Sequence, residues 1–285
     1  MHLYVTVSSM RYYFSLLVLL ILSSHTLWGQ SYKEWVDRSA SYIEIDRLDS
    51  AAFALQKAMS LDPVNENNPV LLLNLGILQR QLGLFDDAFI SLTASLGNNP
   101  IPDVVLHRRA SLLSDMGRFD EAMEDYSSLI RLYHGDVEAY YRRGVLYLEK
   151  NDRASAEADF KKANEIDPGN MFTKLSNALI FKLDDNWIAA EMIYSALIQS
   201  TTTPDPSFYM NRAECYVNSD QVFKASADLR VVETSQRDNP YFYFLRGRVR
   251  YAQYDKIAAR ADFNKAKEMG YDLPIIDEWL KKTEK

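Results

Sequence analysis

Glycine and proline are scarce, 10 and 9 in 285 residues, while Ala, Leu, Glu, Lys and Arg are plentiful. That balance favours helix over sheet. The single cysteine, Cys215, excludes an internal disulfide. There is no Asn-x-Ser/Thr acceptor site. A basic surplus is also missing. The net charge of -7 argues against a general nucleic-acid binder, which would carry a positive face. No glycine-rich phosphate loop, no H-E-x-x-H and no paired-cysteine metal motif occurs. No cofactor or metal is therefore expected. With 47% apolar and 25% charged residues the composition is globular, enough for one large domain or two ordinary ones.

The one strongly apolar run lies near the start. Arg11 supplies a positive region, Phe14 to Leu22 is almost unbrokenly apolar, and Ser23 to Gly29 ends on a small residue. The run is too short to span a bilayer comfortably. The layout is that of a secretory signal peptide over 1–29, cleaved between Gly29 and Gln30. Met10 is an alternative start, and an uncleaved membrane anchor is the alternative reading. No cysteine lies near the cleavage point, which excludes lipoprotein processing. Export with one cysteine and no glycosylation site suits a bacterial periplasm or cell envelope.

From Tyr32 the chain repeats with a period of 34 residues. Seven units span 32–65, 69–102, 103–136, 137–170, 171–204, 206–239 and 240–273. The twentieth residue is always alanine: Ala51, Ala88, Ala122, Ala156, Ala190, Ala225 and Ala259. The eighth is always small, Ser39, Gly76, Ala110, Gly144, Ala178, Ala213 and Gly247. The twenty-fourth is always large: Leu55, Leu92, Tyr126, Phe160, Tyr194, Leu229 and Phe263. Each unit has two helical patterns around a polar break. Two helices approach closely only where side chains are small, so the eighth and twentieth places predict the contact and the twenty-fourth fills beside it. Pro63, Pro100 and Pro168 are expected to stop the second helix at one place in three units.

The unit "AYYRRGVLYLEKNDRASAEADFKKANEIDPGN" resembles the tetratricopeptide repeat family at Tyr140, Gly144, Tyr147, Ala156, Phe160, Ala163 and Pro168. The resemblance covers Tyr32 to Leu273. It implies an all-α, right-handed α-solenoid of helix-turn-helix units. Arg38 and Asn177 replace the usual apolar seventh residue, and Thr202 the proline. Residues 274–285 follow as a helix with Ile275, Ile276, Trp279 and Leu280 on one face, expected to cap the last unit.

Arginine recurs at the seventh place, on the first helix and facing its partner: Arg38, Arg109, Arg143, Arg212 and Arg246. Aspartate recurs at the twenty-third: Asp125, Asp159, Asp228 and Asp262. These acids occur only in units with the arginine, which predicts a ladder of ion pairs. In the family the second, fifth, sixth and ninth places face a concave groove. The resemblance therefore implies a partner-binding face of Asn74, His107, Arg108, Tyr141, Arg142, Phe172, Met210, Asn211, Tyr241 and Phe244. Its asparagines and arginines would hydrogen-bond a peptide and its rings would hold apolar side chains. The alternative is that these residues only pad or solvate the inner helices. Arg142 is expected to be solvated when nothing is bound. Of the family's carboxylate clamp only Asn74 and Arg108 match, with Leu73, Ile77 and Val104 where polar groups are needed.

After signal removal only His107 and His134 remain as histidines. Cys215, mid-helix in "NRAECYV", reads as a packing residue rather than half of a catalytic dyad. An enzyme is not expected. Two functions stand: an envelope scaffold binding a peptide or protein segment in its groove, or a membrane-tethered structural subunit of an envelope secretion or assembly complex.

Overall fold

The computed structural model describes residues 27–271 and 273–284. The expected export signal, apart from its last three residues, lies outside the described residues. Fifteen helices and no strand occur among those described. They fall into two compact units divided between Ile166 and Asp167. The N-terminal unit holds α1 (Leu27–Glu44), α2 (Leu48–Leu61), α3 (Asn68–Gln81), α4 (Phe85–Ser95), α5 (Pro102–Asp115), α6 (Phe119–Leu132), α7 (Val137–Glu149) and α8 (Arg153–Ile166). The C-terminal unit holds α9 (Met171–Leu183), α10 (Trp187–Gln199), α11 (Pro206–Asn218), α12 (Val222–Val232), α13 (Pro240–Ala252), α14 (Lys256–Glu268) and α15 (Leu273–Glu284). Within each unit every helix packs on its neighbours in sequence, giving a stack of helix pairs.

Small residues set the spacing of each pair. All seven twentieth-place alanines are fully buried. At the eighth place the room is smaller still. A Cβ on Gly144 would lie 2.3 Å from the Phe160 ring, one on Gly247 2.6 Å from the Phe263 ring, and one on Gly76 2.7 Å from Leu92. The large twenty-fourth residue therefore lies directly on the backbone of the first helix.

The turn inside each pair has one residue at positive φ, always the fifteenth of the unit: Asp46, Gly83, Gly117, Asn151, Asp185, Asp220 and Tyr254. Six of these are the residue types that adopt this conformation most readily. Tyr254, at φ 66°, is the exception. The side chains of Asp136, Asn170, Asn186, Asp205, Asn239 and Asp255 accept a backbone N–H at the start of α7, α9, α10, α11, α13 and α14. Pro63 and Pro168 follow closely on α2 and α8, as expected. In the second repeat, however, α4 ends at Ser95, well before Pro100. Asn99 is the reason. Its amide donates to Pro69 O at 2.9 Å and Ser95 Oγ at 2.7 Å, and its carbonyl accepts from Ile101 N at 3.0 Å.

The recurrent arginines each grip an aspartate with two N–H groups. Arg143 Nε and Nη2 lie 2.8 and 2.7 Å from Asp159, and Arg109 reaches Asp125 at 2.8 and 2.6 Å. Arg212 holds Asp228 at 2.7 Å twice, and Arg246 holds Asp262 at 3.0 and 2.7 Å. A third arm was not evident from the pairing. Nη1 of Arg109, Arg143 and Arg212 donates to Thr93, Ser127 and Ser195, on the second helix of an earlier pair. In the last repeat Arg246 uses Glu233 instead. Arg38, which has no aspartate, lies over the Trp35 ring at 4.6 Å.

At the C-terminal end α15 covers the last pair. Ile276 is fully buried, and Trp279 lies 5.6 Å from the Phe263 ring and 6.4 Å from the Phe244 ring. Ile275 is exposed, so the covering face is narrower than the sequence pattern suggests.

Two predictions follow from this packing. Gly144→Ala gains about 1 kcal/mol of helix propensity but overpacks Phe160 at a cost of about 1–3 kcal/mol. Net destabilisation is expected in urea melts, and adding Phe160→Leu should recover it. Arg143 and Asp159 have side chains only 19% and 8% exposed. Arg143→Met therefore strands a buried carboxylate at roughly 3 kcal/mol, and removing Asp159 as well should restore part of the loss. Equal melts for Arg143→Met and wild type would show that the pair contributes nothing.

Candidate protein-binding faces

The first helices of successive pairs form one face of each unit, and the candidate groove residues lie on these helices. The structure sorts them into two sets. Asn74, Tyr141, Met210, Asn211 and Phe244 are buried. Phe244 stacks on Tyr271 at 4.9 Å, Tyr141 lies 6.3 Å from Phe160, and Met210 belongs to the core around Tyr216 and Phe242. Apart from His107, the fifth-place residues are thus packing residues rather than a row presented to a partner. They sit where two helices meet, and the close approach set at the eighth place leaves them covered.

His107, Arg108, Arg142, Phe172 and Tyr241 are partly exposed. His107 Nε2 lies 2.7 Å from Asp136 Oδ2, while the other oxygen of Asp136 accepts Ala139 N at 2.9 Å. This histidine ties α5 to the start of α7. Burial pushes the Asp136 carboxyl up, but His107 and the backbone amides hold it below its usual range. Arg142 is not a solvated guanidinium. Its Nε donates to Glu138 Oε1 at 2.6 Å, one turn back on α7, with side chains 24% and 31% exposed. The neighbouring Arg80–Asp115 pair closes at 2.6 Å. His134 is exposed, with Nδ1 2.9 Å from Ile130 O. Cys215 is fully buried on α11, and burial pushes its thiol up to about 12. Almost none of it is thiolate at neutral pH.

The C-terminal unit carries a polar cluster that the sequence reading did not assemble. Lys182 of α9 is only 4% exposed at its side chain. Its ammonium donates to Asn211 Oδ1 at 3.0 Å and to Glu214 Oε2, both on α11. The Tyr241 phenol on α13 also interacts with the Glu214 carboxylate. Asn211 donates back to Ser207 O at 2.9 Å. Next to these, Arg248 of α13 donates through Nη2 to Asn218 Oδ1 at 2.8 Å. The signal for Lys182 was a lone cation inside the apolar run "ALIFKL". Glu214 and Arg248 occupy the ninth place of their repeats, a place the family pattern assigns to the groove.

Charge in this cluster is balanced by contact rather than by water. Burial pushes the Glu214 carboxyl up, but the Lys182 charge and the hydrogen bonds from Lys182 and Tyr241 outweigh it, leaving Glu214 below the usual carboxylate range. Burial and the Glu214 charge raise the Tyr241 phenol well above its ordinary value. Among the described residues no group of three or more His, Cys, Asp or Glu could hold a metal ion, and no helix is long and apolar enough to cross a membrane.

The sign of the acid response follows. A carboxyl whose folded pKa lies below its unfolded value of about 4.3 stabilises the fold above that pH, and the contribution is lost as pH falls through the folded value. Urea melts from pH 7 to pH 2 should show wild type losing stability more steeply below about pH 4.3 than Glu214→Gln. At pH 7 the variant should be weaker by roughly 3 kcal/mol, because Lys182 loses its buried counterion. Parallel acid limbs would show that Glu214 titrates alike in both states.

Residues 107–170 match the family model for the tetratricopeptide repeat. Over 187 residues the chain is 25% identical to DnaJ homolog subfamily C member 3 of Rattus norvegicus, a match covering 60% of this chain and 37% of that protein. A tetratricopeptide repeat protein from Parabacteroides merdae is 35% identical, superposes with a TM-score of 0.68, and is matched over 90% of this chain and 100% of its own. A thermophilic tetratricopeptide repeat protein from Thermus thermophilus shares the fold at 21% identity and a TM-score of 0.51, over 67% of this chain and 100% of its own. With its 34-residue period, its alanine at every twentieth place and its stacked helix pairs, the chain belongs to the tetratricopeptide repeat family.

Proposed function

We propose that this protein is a non-enzymatic scaffold of the bacterial cell envelope whose first-helix faces bind a peptide or protein segment. The observation that carries this reading is the Lys182–Asn211–Glu214–Tyr241 cluster. Burying two charges costs more than packing apolar groups of similar size would. Unlike the Arg–Asp pairs, which join the two helices of one pair, this cluster joins the first helices of successive pairs, on the face where a partner would lie. Family membership supports protein binding as the class of activity. The envelope assignment rests on the charged, apolar and small-residue sequence of the first 29 residues.

A second reading has its own support. The eighteenth residues of the last three repeats, Ile188, Phe223 and Ile257, are 64%, 83% and 88% exposed in the first turns of α10, α12 and α14. Apolar side chains recurring at one exposed place favour contact through the outer side, as in a structural subunit of a larger envelope assembly.

Photo-crosslinking in the native host separates the two. A photoreactive residue at Arg108 or Phe172 should capture a protein partner, and one at Phe223 or Ile257 should not. Capture from the outer positions alone would favour the structural-subunit reading. N-terminal sequencing of the captured chain should begin at or near Gln30, and an intact N-terminus in a membrane fraction would remove the soluble-scaffold assignment.

A further inference from the structure

Arg248 is set up differently from the other arginines on the first helices of the C-terminal unit. Arg212 and Arg246 are held bidentately by aspartates, and Arg250 also reaches Asp262, at 2.7 Å. Arg248 makes no ion pair among the described residues, and its one hydrogen bond there is the contact of Nη2 with Asn218. Its guanidinium carbon lies 5.4 Å from the Trp279 ring and 5.9 Å from the Phe244 ring. Its Nε is buried without a partner. The group is therefore held by rings on its flanks and committed through one of its five N–H donors. Nη1 and the second hydrogen of Nη2 form the open end of the fork.

The surrounding charges do not neutralise it. Glu214 lies within electrostatic reach but is held by Lys182 and Tyr241. Lys182, Glu214 and Arg248 together leave one positive charge uncompensated. On the other side Lys282 lies 4.2 Å from the centre of the same Trp279 ring and pairs with Glu278 at 2.7 Å. An ordered, part-buried guanidinium lacking an acid costs desolvation and gains little from the fold. It has little rotamer freedom left to lose when a ligand binds, which lowers the cost of recognition.

We propose that Arg248 is the docking point for a carboxylate of the bound segment, accepted end-on at Nη1 and Nη2 with the partner chain lying against Trp279. This rests on the first-helix face being the binding face and adds the chemistry of one position on it. One carboxylate matches the single uncompensated charge. A phosphate dianion would need a second unpaired donor that the cluster does not offer. Planarity matters as well, because a carboxylate meets two parallel N–H groups of a guanidinium but only a point charge on an ammonium.

The test uses the full chain and three blocked alanine pentapeptides as probes. One is neutral and amidated, one carries a central glutamate and is amidated, and one is neutral except for a free C-terminal carboxylate. The readouts are the Arg248 Nε–H resonance, assigned from its loss in Arg248→Gln, and Trp279 fluorescence. A saturable shift is expected with at least one carboxylate probe, at a midpoint at least tenfold below any response to the neutral peptide. The more effective carboxylate probe identifies side chain or chain end as the source. Arg248→Lys should keep the thermal melt and raise that midpoint several-fold. Equal responses to all three probes would overturn the carboxylate assignment while leaving the binding face intact. No response from Arg248 to any probe would also overturn it, and crosslinking at Arg108 and Phe172 would still judge the binding face independently. An unchanged midpoint in Arg248→Lys would show that charge alone is read and that the fork has no role.

Discussion

The organising constraint is the distance between the two helices of a pair. At the eighth place a ring or a leucine from the second helix rests on the backbone of the first, with no room for a methyl group at Gly76, Gly144 or Gly247. Much else follows from this approach. It buries the twentieth-place alanines, it brings the seventh and twenty-third places within bidentate reach, and it covers the fifth-place side chains other than His107. The faces left to meet a partner are what remains after that demand has been met.

The arginine ladder turns this local spacing into a link between pairs. Each guanidinium satisfies its own aspartate and, through Nη1, a hydroxyl on an earlier second helix or, for Arg246, the carboxylate just past the end of one. A repeat protein is held together by intrinsic terms within each repeat and interface terms between neighbours. Here one side chain contributes to both. The polar cost is moderated because the charges meet in planar, doubly hydrogen-bonded geometry.

Much of the fold could be read in the sequence because the repeat averages over seven copies. A small residue at one place is weak information, but alanine at Ala51, Ala88, Ala122 and four further equivalents is strong. The Arg143–Asp159 spacing was legible for the same reason. What was not legible depends on single copies. Asn99 ends α4 early through three hydrogen bonds specific to the second repeat among the described residues. Lys182 lies at the twelfth place of its repeat, and Glu214 and Arg248 share the ninth place of theirs with opposite charges, so no recurring residue type flags the cluster. Tyr141, Met210 and Phe244 were assigned to the groove from the family pattern, but here they are buried. Arg142 pairs with Glu138 on its own helix, a contact of the common i,i+4 type that the groove assignment passed over.

The buried thiol of α11 has a use beyond packing. The chain contains one cysteine, and it is fully covered in the C-terminal unit. An alkylating reagent reaches Cys215 only when the surrounding helices separate. Where closing outpaces modification, the labelling rate measures the free energy of that separation under native conditions. The protein thus contains a single built-in reporter of how firmly the helices around Cys215 stay closed, without any engineered probe.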